Sequence, residues 1–240
     1  MINSDMTLRE IAVQLPQSTR LFEKLKIDYC CSGNRTLTEA SSVAGVDLAD
    51  VVKMLEESEQ ALQPGFVEFQ KLSLPELITH IVNTHHVFTR DEIARLEALT
   101  AKVIAAHGEN HPELHQVGRL FAQLSADLNP HMFKEEQVLF PYIVALEAAA
   151  QSNQSAPFAP FGTVKNPVRK MMMEHDTAGE ILRELRKITS DYAAPADACI
   201  SYRTLYEALA AFEQDLHQHI YLENNLLFPQ AVKVEAQLVG

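Results

Sequence analysis

One eleven-residue phrase occurs twice in the second half of the chain and constrains its fold more than any other feature. The copies are residues 131–141 (HMFKEEQVLFP) and residues 219–229 (HIYLENNLLFP). Each copy places a histidine four residues before a glutamate. In an α-helix this spacing puts both side chains on one face, one turn apart. The pattern therefore predicts two helices that each present an imidazole beside a carboxylate, which is a metal-ligand geometry.

The apolar residues before each copy predict that these ligands face the protein core. They recur at spacings of three and four and lead directly to the histidines: Val117, Phe121, Leu124 and Leu128 in the first copy, and Leu205, Leu209, Phe212 and Leu216 in the second. For a single histidine, a hydrogen bond inside the core would be a sufficient explanation. Burial of an unpaired carboxylate is costly, however, and here the cost falls on two glutamates at once, which favours a bound cation.

Composition excludes some classes of partner. The chain has 240 residues, 47% of them apolar, which is enough for one large domain or for a large and a small one. Its net charge of -12 argues against nucleic acid and anionic membranes as partners. The start has no leader pattern and no run of about eighteen apolar residues occurs, so we expect a cytoplasmic protein. Three cysteines fit a reducing compartment.

We expect two domains, with a boundary after residue 62. Residues 1–62 read as a small unit of short helices, and the Gln63-Pro64-Gly65 step breaks the helical pattern. The second domain, residues 72–240, contains four long amphipathic helices, which is typical of a four-helix bundle. The predicted fold class is therefore all-α.

The adjacent Cys30 and Cys31 lie in a polar turn of the small domain. They are interpreted either as small buried apolar side chains or as reactive or iron-binding thiols. The neighbouring Arg35 would favour the thiolate, and both interpretations stay open from the residues alone. Cys199, near the start of the fourth bundle helix, is interpreted as an ordinary helical cysteine.

The bundle supplies more histidines on its apolar faces. The third helix carries His175, and the first carries His85 and His86 together. By helical phase His85 lies nearer the centre of the apolar stripe, and the phase does not decide between the two. Four histidines and two bridging glutamates suit a pair of iron or manganese ions better than tetrahedral zinc. Such a site keeps room for an oxo bridge and a small ligand.

These motifs resemble the hemerythrin-like di-iron family that repairs iron-sulfur clusters, the RIC or YtfE/ScdA/DnrN type. The resemblance covers nearly the whole chain. It rests on the Asp28-Tyr-Cys-Cys-Ser-Gly33 turn, on both copies of the repeated phrase, and on the Glu174-His-Asp-Thr-Ala-Gly-Glu180 segment. It implies a hemerythrin-like four-helix bundle that follows a small N-terminal domain.

The resemblance also implies a ligand set for two iron ions in an oxo-bridged non-haem centre. In the family the first-helix histidine lies four residues before an arginine, and Arg90 selects His86 by that rule. The implied ligands are His86, His131, Glu135, His175, His219 and Glu223. Cys30 and Cys31 would accept or pass iron.

The function that we expect is repair of iron-sulfur clusters damaged by nitric oxide or oxidants, more as an iron donor than as a conventional enzyme. Its partners would be damaged iron-sulfur proteins and small ligands such as O2 or NO, and a homodimer is one assembly that this function allows. One alternative is a sensor or carrier of oxygen, nitric oxide or iron. Another is an enzyme that reduces nitric oxide at the two irons.

Overall fold

A computed structural model describes residues 2–30, 32–60 and 69–239 of the chain. Cys31 and the predicted break at Gln63-Pro64-Gly65 lie outside the described residues. The regular elements found within those ranges are helices, apart from an isolated bridge between Thr7 and Thr36. The predicted all-α class is confirmed. None of the described helices is both long and apolar enough to cross a bilayer.

Four short helices form the N-terminal unit: α1 (Leu8–Gln14), α2 (Ser18–Lys24), α3 (Leu37–Ala44) and α4 (Leu48–Gln60). Two of them begin at capping boxes, in which a threonine and a glutamate three residues later bond each other's backbone N–H. Thr7 and Glu10 cap α1, and Thr36 and Glu39 cap α3. Local sequence therefore determines where these helices begin.

Four helical rods form the bundle, and three of them are interrupted by a π-helical segment. The rods are α5 (Leu74–His80), π1 (Ile81–His86) and α6 (Val87–His107); α7 (Glu113–Lys134), π2 (Glu135–Leu139) and α8 (Phe140–Gln151); α9 (Lys165–Ile188); and α10 (Ile200–Tyr221), π3 (Leu222–Leu227) and α11 (Phe228–Val239). Helix α7 packs against α6 and α9, and α6 also packs against α10. The predicted four-helix bundle is confirmed.

Two helix starts differ from those that the sequence predicts. The Asn166-Pro167 step predicts that Asn166 caps the third rod, but α9 begins at Lys165 with Val164 as its N-cap. Asp197 is the predicted cap of the fourth rod, with Cys199 in its first turn, but Cys199 is itself the N-cap. The Asp197 carboxylate accepts a hydrogen bond from His111 Nε2, at 3.1 Å.

The N-terminal unit packs directly on the bundle. The hydroxyl of Tyr221 donates to the carbonyl of Ala12 at 2.9 Å, and the Tyr29 and Tyr221 rings lie 5.6 Å apart. Tyr221 is buried, and it is the last residue of α10 and the third residue of the second copy of the repeated phrase. The small unit therefore covers the end of the bundle at which that phrase lies.

Candidate metal centre

Six side chains from the four rods meet in the core as two groups of four. The groups are His86, Glu135, His219 and Glu223, and His131, Glu135, His175 and Glu223. In each group one ligand-type atom from every residue lies within 4.8 Å of the others, and all six residues are buried. In the described part of the chain these are the only such groups, and they share both glutamates. We refer to the first group as the His86 half-site and to the second as the His175 half-site.

Each shared glutamate directs one oxygen toward each half-site. Oε1 of Glu135 lies 3.3 Å from His131 Nε2, and its Oε2 lies 3.5 Å from His86 Nε2. Oε1 of Glu223 lies 3.0 Å from His219 Nε2, and its Oε2 lies 3.1 Å from His175 Nε2. Both carboxylates therefore have the arrangement of groups that bridge two ions.

The histidines form two close pairs. The Nε2 atoms of His86 and His219 are 3.1 Å apart, and those of His131 and His175 are 3.0 Å apart. At this distance only one nitrogen of a pair can carry a hydrogen, so the other presents its lone pair. Four imidazole nitrogens and four carboxylate oxygens thus lie close together, and few of them can form hydrogen bonds with one another.

Three of the four histidines have their outer nitrogen fixed by a hydrogen bond. His86 Nδ1 bonds Glu136 at 2.7 Å, and His131 Nδ1 bonds Glu174 at 2.8 Å. His175 Nδ1 bonds the side-chain oxygen of Asn224 at 2.9 Å. Because carboxylate and amide oxygens accept hydrogen bonds, each Nδ1 carries the hydrogen, and Nε2 is the nitrogen available to a metal.

The repeated phrase explains two of these outer partners. Glu136 and Asn224 occupy the same position in the two copies, directly after the shared glutamates, and each bonds the histidine of a neighbouring rod. Neither residue is among the ligands that the sequence predicts, although a comparison of the two copies could have identified them. Glu174 is a third such residue, and its signal in the sequence is its position next to His175.

Charge in the cluster shifts several pKa values. Burial lowers the pKa of His131, but the Glu135, Glu174 and Glu223 carboxylates together outweigh burial and raise that pKa to about 10. The hydrogen bond from His131 lowers the pKa of Glu174 to about 2. A cation held by His131 would compete with a proton for Nε2, because a ligating imidazole must be neutral.

The donor atoms fit a pair of metal ions. Both oxygens of Glu135, Oε2 of Glu223 and Nδ1 of His219 are buried without a hydrogen-bond partner. Buried carboxylate oxygens without hydrogen bonds are costly, and an ion between them and the Nε2 atoms would remove that cost. The structure therefore has a dimetal site in which each half-site offers two nitrogens and two shared carboxylates.

His85 lies beside the centre and outside both groups. Its Nδ1 bonds Asp215 at 2.9 Å, and its ring stacks on that of His219 with centroids 5.9 Å apart. Segment π1 ends at His86, and a π turn shifts the phase of a helix relative to a regular α-helix. His86 is therefore the first-rod histidine that joins the group, although regular helical phase places His85 nearer the centre of the apolar stripe.

Cys30 and Cys199, the two cysteines that the structure describes, lie outside the cluster of six. Cys30 is buried, and its sulfur lies 3.5 Å from a carboxylate oxygen of Asp28. Its backbone carbonyl accepts a hydrogen bond from the side-chain amide of Asn224 at 3.3 Å. Cys199 is exposed, and its sulfur lies 3.1 Å from His107 Nε2.

The matching protein families agree with this arrangement. Residues 77–231 match the hemerythrin HHE cation binding domain, and residues 4–59 match ScdA_N, a domain of unknown function (DUF542). The fold and the buried His/Glu groups therefore define a hemerythrin-like protein with a dimetal site.

Curated relatives cover nearly the whole chain. The iron-sulfur cluster repair protein YtfE of Musicola paradisiaca is 34% identical over 97% of this chain and 98% of its own length. The corresponding protein ScdA of Staphylococcus haemolyticus is 31% identical over 95% and 98%. A probable iron-sulfur cluster repair protein of Haemophilus influenzae is 32% identical over 94% and 96%. The chain belongs to the iron-sulfur cluster repair protein family.

Proposed function

We propose that this protein repairs damaged iron-sulfur clusters and that the iron it supplies is held in the dimetal site. The observation that carries the proposal is the pair of glutamates that each face both half-sites. The names of the relatives support the repair role, since those proteins are called iron-sulfur cluster repair proteins. The clients would be damaged iron-sulfur proteins in the cytoplasm.

We assign six ligands to two iron ions: His86, His131, Glu135, His175, His219 and Glu223. Each ion would have two imidazole nitrogens and two bridging carboxylates. This nitrogen and oxygen set suits iron, whereas a closed structural zinc site is four-coordinate and usually contains cysteine. Iron bound in this way would keep open positions for an oxo bridge or for a small ligand such as O2 or NO, and it could also be given up.

The protein's own groups hold the ligands in place. Glu136, Glu174 and Asn224 fix the outer nitrogens of three histidines, so that Nε2 faces the interior of the cluster. Lys134 bonds both oxygens of Glu174, at 2.5 and 2.6 Å, which holds this carboxylate in position. Such outer partners orient ligands and raise their basicity.

The thiols of Cys30 and Cys31 are proposed to pass iron between the centre and a client. The hydrogen bond from Asn224 to the Cys30 carbonyl supports this role, because the same side chain bonds His175, a residue of the His175 half-site. Thiolates are the soft ligands that hold iron in iron-sulfur clusters, which suits them to receiving iron from nitrogen and oxygen ligands. We propose that residues 1–62 form the domain that carries the thiols and that residues 72–240 form the domain that binds the metal.

The test is reactivation of an iron-sulfur enzyme that has been damaged by nitric oxide. Wild-type protein, Cys30→Ser/Cys31→Ser and the matched control Cys199→Ser are added at equal iron loading. We expect wild type and control to restore activity, and the double variant to restore it at least tenfold more slowly. Equal recovery with all three proteins would remove the thiols from the repair path. No recovery with any of them would favour a sensor or carrier of oxygen, nitric oxide or iron.

A further inference from the structure

The side chain of Asn224 joins the metal centre to the backbone of Cys30. Its oxygen accepts a hydrogen bond from His175 Nδ1 at 2.9 Å, and its nitrogen donates to the carbonyl of Cys30 at 3.3 Å. Asn224 is buried, with 4% of its surface exposed. One amide therefore connects a residue of the His175 half-site with the backbone of a cysteine nearly two hundred positions earlier in the chain.

The equivalent residue of the other half-site makes no such connection. Glu136 bonds His86 and accepts from Arg90 Nη2 at 2.5 Å, and Arg90 is partly exposed. An ionised glutamate has no hydrogen to donate, so it could not bond a carbonyl as Asn224 does. The difference between the two copies of the repeat, glutamate in one and asparagine in the other, thus makes the half-sites unequal.

The next residue, Asn225, also contacts the N-terminal unit. Its side-chain oxygen accepts a hydrogen bond from Arg9 Nε at 2.7 Å. A Cβ atom added to Gly33 would lie 2.9 Å from that oxygen and 3.0 Å from the carbonyl of Tyr29. An alanine at position 33 would therefore force Asn225 or the nearby backbone to shift.

We propose that Asn224 is a positioning residue that links metal occupancy of the His175 half-site to the burial of Cys30. A cation bound at His175 Nε2 would polarise the imidazole and strengthen the hydrogen bond that Nδ1–H donates to Asn224. Hydrogen bonds in a chain reinforce one another, so the bond from Asn224 to the Cys30 carbonyl would be strengthened too. Without that cation the bond to Cys30 would be weaker, and the Cys30 thiol would become accessible more often.

The role of the Cys30 thiol in this proposal rests on the proposed repair function. Within that function, the ion of the His175 half-site is the one whose release would make Cys30 accessible. Among the described residues, the His86 half-site has no equivalent contact with Cys30. The two ions are therefore expected to differ in their effect on the thiols, although their ligand sets are alike.

The experiment measures how fast Cys30 reacts with a maleimide in the full-length protein. Cys31→Ser and Cys199→Ser together leave Cys30 as the only thiol. Rates are compared, without oxygen, for metal-free protein and for protein loaded with two equivalents of ferrous ion. We expect iron to slow labelling by a factor of about 5 to 150, the usual range for coupling between two sites. No change in rate on loading would overturn the proposal.

Three variants in this background locate the coupling. Asn224→Asp has nearly the same shape and keeps the acceptor for His175 but loses the donor for Cys30, so labelling should no longer depend on iron. Gly33→Ala disturbs the neighbouring contact between Gly33 and Asn225 without touching a ligand, and it should also weaken the protection. The matched control Glu136→Gln changes the His86 half-site and should keep the protection.

The metal content of each variant is measured alongside the labelling. Equal protection by iron in wild type, Asn224→Asp and Gly33→Ala would overturn the proposal. Equal loss of protection in Glu136→Gln would also overturn it, since it would mean that any change near the centre has this effect. No cluster-repair assay is involved, so a failure here and a failure of the repair function are separate results.

Discussion

At the residue scale, Glu135 and Glu223 carry more of the site than any single histidine. Each histidine belongs to one half-site, whereas each glutamate belongs to both. Both oxygens of Glu135 also lack hydrogen bonds, and the nearest polar atoms to them are the Nε2 atoms of His131 and His86, at 3.3 and 3.5 Å. A change at either glutamate therefore affects two ions at once.

We predict that Glu135→Ala loses most of both ions, and that Glu223→Ala does the same. Removal of one outer partner, by contrast, typically lowers metal affinity about 10- to 100-fold. Glu136→Gln should therefore retain iron when iron is in excess. Metal analysis after dialysis against a weak chelator separates these cases. Retention of one full equivalent of iron in Glu135→Ala would contradict the bridging role.

The sequence alone predicts which types of residue are ligands. It predicts less about the hydrogen-bond partners that orient those ligands. The spacing of His131 and Glu135, repeated at His219 and Glu223, is sufficient to place these residues on core-facing helical stripes. The choice of His86 over His85 required the family resemblance, since it depends on the non-α turn of π1. The hydrogen bond between Asn224 and Cys30 joins distant parts of the chain, so no local pattern in the sequence predicts it.

At the scale of helices, the three π segments all lie at the metal centre. His86 ends π1, Glu135 begins π2, and Glu223 lies in the first turn of π3. A π turn re-aims the side chains around it and is often found at functional sites. Sequence periodicity predicts the rods and their apolar faces, but it assumes a regular helix and so cannot place these turns.

Another link between helices lies away from the centre, at Glu235 on α11. Its Oε1 accepts from the Tyr142 hydroxyl and from the backbone N–H of Val164, both at 2.8 Å, and its Oε2 accepts from the Thr163 hydroxyl at 2.5 Å. Val164 is the N-cap of α9. Glu235 therefore ties α11 to α8 and to the start of α9.

We predict that Glu235→Gln lowers the free energy of unfolding of the metal-free protein by about 1–2 kcal/mol at pH 7. Burial raises the pKa of Glu235, but the three hydrogen bonds outweigh burial and lower it below the ordinary 4.5. A carboxyl with a lowered folded-state pKa stabilises the fold above about pH 4.5 and loses that contribution as the pH falls through its folded-state pKa.

The difference between wild type and Glu235→Gln should therefore shrink when urea unfolding is repeated near pH 3.5. Glu97→Gln, at an exposed position on α6, is the control and should change stability little at either pH. A difference that stays constant between the two pH values would show that the glutamate acts through packing and not through its charge.

At the scale of the whole molecule, the N-terminal unit and the bundle share buried surface and polar contacts. His217 Nδ1 bonds Glu23 at 2.8 Å, and Lys26 Nζ lies 2.5 Å from a carboxylate oxygen of Asp191. Tyr221 packs on Tyr29 at the same boundary. The sequence predicts both units, because each has its own caps and apolar stripes. It does not predict their packing, which depends on pairs of residues far apart in the chain.

We predict that residues 72–240 alone fold and bind two irons, because all six ligands and the four rods lie within that range. The fragment should melt roughly 5–15 °C below the full chain, since aromatic surface such as that of Tyr221 is uncovered. Calorimetry and metal analysis of the two proteins test this. A fragment that is unfolded even with iron present would mean that the two parts form one cooperative unit.

The most direct test of the dimetal site is a crystal structure of the iron-loaded protein with anomalous scattering measured at the iron edge. We predict two iron peaks per chain, one between His86 and His219 and one between His131 and His175, with Glu135 and Glu223 bound to both. A single tetrahedral ion, or an ion bound by His85 in place of His86, would contradict it.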